Sequence, residues 1–255
     1  MRINGTLMAL LSILAGVAGF FLRRQEVATV FDPISGLATR GATISILLIA
    51  FSVLVVALLF VMSFLLPKRE FQGFTEAFGG SVALTALRTF LGGLIFGLSL
   101  VELVDLFSTG ALDGFSIARL GAGALAGLMF CLMAALSHRN TNVAIPASVP
   151  VFWLCIWLIV SHIERAANPV LLAYVYNLFA LAALLLALYY IAGFAFRQNR
   201  PGRMMFCASV AIFFIGVTMA DEMALTTRMT FLALAVTVLF YQLSLSFKLS
   251  QPIGE

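Results

Sequence analysis

Apolar residues run through this chain in eight long stretches separated by short polar breaks, at residues 5–22, 42–66, 89–109, 116–137, 147–163, 169–196, 204–220 and 228–247. A helix needs roughly 20 apolar residues to cross a hydrocarbon core about 30 Å thick, and most of these stretches approach or exceed that. Backbone N–H and C=O groups in lipid must be satisfied within their own segment, which makes helix the conformation for each. The pattern predicts an all-α integral membrane protein, a bundle of about eight transmembrane helices forming one domain over residues 1–255. The first stretch also admits a reading as a signal peptide, because Ala15-Gly-Val-Ala18 loosely resembles a cleavage site. Only Arg2 precedes it as a charge, and Phe20-Phe-Leu-Arg-Arg24 follows without a small-residue tail. A retained helix is the preferred reading; cleavage would leave seven helices in the same orientation.

Composition strengthens this picture. Hydrophobic residues make up 62% of the chain and charged residues 10%, with mean hydropathy +1.10. Soluble domains average about 45–50% apolar and about 25% charged, so the excess requires lipid as solvent. The net charge of +4 comes from 15 Lys and Arg scattered over the breaks rather than gathered on a stripe, which argues against a nucleic-acid partner. In a membrane protein such residues set topology. Cytoplasmic termini place Arg2, Lys68, Arg69, Arg88, Arg139, Arg197, Arg200, Arg203 and Lys248 inside, leaving Arg23, Arg24, Arg40, Arg119, Arg165 and Arg228 outside. The tight break from Arg197 to Arg203 is the firmest anchor. Cys131, Cys155 and Cys207 fall inside apolar stretches with spacing that fits neither a disulfide framework nor a CxxC site. They read as small hydrophobes.

Two breaks are long enough for local structure. The first contains Phe31-Asp-Pro-Ile-Ser-Gly-Leu37, in which Asp-Pro followed by Ser-Gly is turn chemistry. The second repeats apolar residues at Phe71, Phe74, Phe78 and Val82, one face of a helix. An interfacial helix over 69–82 is one reading, led in by Lys68 and Arg69 and ended by Gly79-Gly80; a loop with membrane-dipping aromatics is the other. Gly93 and Gly97 form one GxxxG pair and Gly123 and Gly127 a second. Small residues let helices approach closely in lipid, so the third and fourth spans are predicted to form a tight hairpin. Gly16 and Gly19 carry less weight.

Ionisable groups at membrane depth cost roughly 2.5–3.5 kcal/mol each on insertion scales, which makes them the first candidates for function. Glu102 lies roughly 21 Å of helical rise beyond Arg88, with Asp105 three residues further on the same face. Arg119 is near enough in the hairpin to pair with them. Asp221 and Glu222 fall close to the outer surface, and Asn177 and Tyr174 could add neutral hydrogen-bonding groups. Together they suggest an outward-facing acidic pocket for a small polar or cationic solute. The plainer reading puts helix-end charges among headgroups and water, and makes Glu102–Arg119 an ion pair tying span three to span four. Arg88 is expected to snorkel to the inner headgroups.

No catalytic or metal-binding constellation emerges. The two histidines, His138 and His162, are placed on opposite faces, and neither a Walker A loop nor HExxH occurs. No cofactor and no enzymatic activity are expected. The segment from Gln25 to Leu37, following a first membrane helix, resembles that of uncharacterised polytopic proteins of anaerobic Gram-positive bacteria. The likeness covers about the first quarter of the chain; it implies a bacterial plasma membrane and brings no assigned activity. The expected function is a membrane transport component, with a non-transporting sensor, scaffold or accessory subunit as the alternative. The lipid bilayer, a small solute and another membrane protein are the partners to consider.

Overall fold

The computed structural model describes residues 5–32, 37–39, 41–67, 69–111, 113–139, 141–165 and 170–250. Eight helices are long and apolar enough to cross a membrane, and the chain is a multi-pass membrane protein. They are α1 (Gly5–Val30), α2 (Thr43–Phe64), α4 (Val82–Ser108), α5 (Gly114–His138), α6 (Ala144–Arg165), α7 (Val175–Gly193), α8 (Pro201–Thr218) and α9 (Leu225–Ser250), with a short α3 (Phe74–Phe78) before α4. Among the described residues no strand occurs; a single antiparallel bridge joins Phe31 to Ala38. The predicted turn between them, residues 33–36, lies outside the described residues, as do Arg2, Arg40 and Lys68. Gly5 of α1 meets Met205 of α8 and Ser246 of α9, so α1 begins where α9 ends. We call this the near end of the bundle and the opposite one the far end.

The three largest departures from the expected boundaries each have a physical reason. Helix α1 continues past residue 22 to Val30. Arg23, Arg24, Gln25 and Glu26 are good helix formers, and a proline follows at position 33, beyond which the preceding residues are steered away from helix. Helix α4 starts at Val82, with the Ser81 hydroxyl accepting from the Leu84 N–H at 3.4 Å. The helix considered over 69–82 shrinks to α3. Its aromatic face turns into the bundle: Phe71, Phe74 and Phe78 are buried, and the Phe78 ring packs on Phe194 and Tyr241 at 4.9 and 5.2 Å. Arg88 does not snorkel. It is 4% exposed and donates to Phe78 O at 2.6 Å and Ser244 Oγ at 2.7 Å. The chain before α4 folds back over it and supplies the acceptor that lipid headgroups would otherwise provide.

The centre of the molecule is α8 and α9. Helix α8 packs against α1, α2, α7 and α9 and is buried on nearly every side. Gln242 of α9 donates to Ser209 of α8 at 2.7 Å inside this core, a polar tie of the kind that joins helices in lipid. Glycines set the closest approaches. A Cβ on Gly216 would lie 2.7 Å from the Gly16 Cα, and one on Gly127 would lie 2.8 Å from the Gly92 carbonyl oxygen. The α4–α5 hairpin is therefore tight, but its seam uses Gly92, Gly123 and Gly127. Gly93 and Gly97 face open space, because the seam runs along the other side of the helix.

Candidate functional site

The far end carries a layer of charges held between helices. The extension of α1 brings Arg23 and Glu26, one turn apart, to the turn that follows α8. There Arg23 Nε donates to Asp221 Oδ1 and Nη1 to Glu26 Oε2, both at 2.7 Å, while Nη2 donates to Ala173 O at 3.2 Å. Arg23 is 1% exposed and Glu26 0%. The guanidinium also lies 5.1 Å from the ring centroid of Tyr176 and 5.6 Å from that of Phe31, within cation–π range. Thr218 Oγ1 donates to Asp221 Oδ2 at 2.9 Å. Burial pushes the Asp221 carboxyl above its ordinary value, against the opposing pull of Arg23, the Thr218 hydroxyl and the more distant Arg165 guanidinium.

A second pair sits beside it. Arg119 Nη2 donates to Glu102 Oε1 at 2.6 Å, and Thr227 Oγ1 reaches the same oxygen at 3.5 Å. Trp153 Nε1 donates to Arg119 O at 3.1 Å, and the Trp157 ring lies 5.8 Å from the guanidinium. The first turn of α9 links the two groups, since the next residue, Arg228, donates to Asp221 O at 3.2 Å. Arg165 at the end of α6 donates to Asn177 Oδ1 at 2.6 Å.

The structure thus brings Glu102, Arg119, Asn177 and Asp221 into one layer, where each is held by another protein group. Asp105 and Glu222 are exposed and stand apart from it. The space beside Glu102 and Arg119 is about 10 Å³, room for one water at most. Tyr174 is half-buried. Sequence reasoning missed Arg23, Glu26 and Tyr176. The signal available for the first two was their i, i+3 spacing, readable only if the helix continues through the double arginine.

A different feature lies on the outside of the bundle. Helices α2 and α7 flank α8 with a gap between them, and the gap forms a cavity of about 1010 Å³. Val210 and Phe214 of α8 make its floor, Val53 and Phe60 of α2 one wall, and Tyr176 and Phe179 of α7 the other. Among its lining residues Ser52 and Tyr176 alone bear polar side chains, and the Ser52 hydroxyl is turned to its own helix, on Leu48 O at 2.8 Å. Val53, Phe60 and Phe179 are exposed, so the groove opens on a surface that a bilayer would cover.

Among the described residues no group of three His, Cys, Asp or Glu converges as a metal site. His138 and His162 lie at opposite ends of the bundle. No family model, curated protein or solved structure matches the chain.

Proposed function

We propose that this chain is a non-transporting membrane protein, a sensor or accessory subunit, that holds the acyl chain of a bilayer lipid in the groove between α2 and α7. The observation that supports this reading is the groove itself: ligand sites run to about 300–1,000 Å³ with mostly apolar linings, and this one matches in size and lining. Its setting in a bacterial plasma membrane, cytoplasmic termini and a membrane-protein partner belong to the same proposal. The test is lipid retention. Val53→Trp and Val56→Trp place bulk in the groove, and native mass spectrometry after mild detergent extraction should show a co-purifying lipid on wild type and at least tenfold less on either variant. Equal retention by correctly folded variants would sink the reading.

A transport component recognising a small polar or cationic solute is the second reading, favoured by one observation. Charges buried within membrane-spanning helices are costly, and the far-end layer holds several. Against it stands the close pairing of Glu102 with Arg119, which leaves no solute-sized gap. A solute that raises the Tm of wild type but not of Glu102→Gln would reverse this preference.

A further inference from the structure

We propose that the Arg23–Glu26–Asp221 cluster is a proton-binding site, in which two buried carboxylates around one guanidinium hold a single proton between them. The proposal stands independently of the lipid groove. One arginine contacts both acids at 2.7 Å, so the three side chains carry one more negative charge than positive when both acids are ionised. Three of the four carboxylate oxygens have donors: Glu26 Oε2 and Asp221 Oδ1 take Arg23, and Asp221 Oδ2 takes Thr218. The fourth, Glu26 Oε1, is buried and meets no hydrogen-bond partner among the described residues. A buried ionised oxygen without a donor is costly, beyond the roughly 1–3 kcal/mol of a neutral group. A proton there removes the surplus charge and turns the bare acceptor into a donor.

The same node holds a second unmet group. The Tyr176 hydroxyl is also buried without a partner, and its ring lies on the same Arg23 guanidinium that Glu26 binds. A tyrosine oxygen accepts as well as donates, so Tyr176 is chemically suited to receive a hydrogen bond from a protonated acid.

Two further guanidiniums face the node and add positive charge beside it, but neither pairs with one of its carboxylates. From α9, Arg228 engages the Asp221 backbone oxygen rather than a carboxylate. From α6, Arg165 is committed to Asn177 and lies within electrostatic range of Asp221, Glu164 and Arg119. Neither forms an ion pair within 4.0 Å of a described acid. On the α7 side Tyr176 is neutral, and the Phe31 ring adds only a π face. Burial also raises the affinity of Asp221 for a proton. Because the two acids share one arginine, the proton belongs to the pair rather than to either residue. The step is plain proton transfer from solvent: an O–H bond forms on a carboxylate oxygen, water loses that proton, and nothing is oxidised or reduced.

The linkage has a definite sign. The Asp221 carboxyl, raised by burial, contributes stability that is fully present below the ordinary carboxylate value. That contribution is lost as pH rises through the raised value. Two measurements on the purified full-length protein in detergent test the site. Infrared difference spectra across about pH 5 to about pH 8 should show a protonated-carboxyl band in wild type that titrates as one proton and disappears in Glu26→Gln. Over the same range wild-type Tm should fall with rising pH, whereas Glu26→Gln, which imitates the protonated acid, should hold a flat Tm that equals or exceeds wild type at the alkaline end. A Glu26→Gln protein less stable than wild type at every pH would mean a fully ionised cluster and overturn the proposal. If Glu26→Gln does not fold, Asp221→Asn takes its place: loss of the wild-type band in that variant upholds the site, and absence of the band from wild type or its persistence in Asp221→Asn overturns it.

Discussion

Arg23 at the far end and Arg88 at the near end are both buried arginines inside membrane-spanning helices, and they are held in opposite ways. Arg23 lies between two carboxylates, each at 2.7 Å. Arg88 makes no ion pair among the described residues. Its partners are a backbone carbonyl at 2.6 Å, a serine hydroxyl at 2.7 Å and the face of Tyr241 at 4.4 Å. The difference matters most when the arginine is removed. Without Arg23, two buried carboxyl groups are left facing each other with their shared cation gone. Without Arg88, only neutral groups lose a donor, and an uncompensated cation disappears with it. A buried ion pair is weak evidence of net stabilisation, yet breaking one from a single side is severe.

The sharpest way to break the comparison is to truncate both arginines in parallel. Arg23→Met should destabilise the protein by about 3–5 kcal/mol, read by unfolding in mixed detergent, and should loosen α1 from α8 at the far end. Arg88→Met should cost less, about 1–3 kcal/mol, since the carbonyl of Phe78 and the hydroxyl of Ser244 are what it strands. If the Arg88 variant proved the weaker of the two, neutral dipoles would be holding charge as firmly as carboxylates, and the contrast would fail. The smallest effect is expected outside both regions. Asp113 is the exposed N-cap of α5, accepting from the Ser116 N–H at 2.9 Å, and those Ser116 hydrogen bonds hold its carboxyl below the ordinary value. A lowered acid contributes stability above its ordinary value and loses it as pH falls through the lowered one. Asp113→Ala should therefore lower Tm slightly at neutral pH, and the gap from wild type should close on strong acidification.

The same comparison shows what the amino-acid sequence could and could not disclose. Helix number and the α4–α5 hairpin were legible because lipid demands long apolar runs and because short connections force neighbours together. The Glu102–Arg119 pair followed from that hairpin. Asp105 did not, since three residues along a helix is about 60° short of a full turn, enough to carry it out to the exposed surface. The double arginine at 23 and 24 looked like the end of a span, and the partner that buries Arg23 lies 198 residues away. No local pattern marks such a pairing. Arg88 misled for a related reason: its acceptor comes from α3, whose aromatics turned inward instead of resting on the membrane. The Gly16–Gly216 contact and the groove depend on which non-sequential helices flank α8, and spacing along one chain carries no record of that.

Charge organises the far end, with Arg23 as its hub. A double-mutant cycle on Arg23→Met and Asp221→Leu tests it most directly, using unfolding free energies of the two single variants and the pair in one detergent. A coupling of about 1.5 kcal/mol or more is expected, because the second substitution removes one of the carboxyl groups that the first left bare. Additivity to within about 0.5 kcal/mol would contradict it, and would make the 2.7 Å contact an incidental neighbour rather than the hub of the far end.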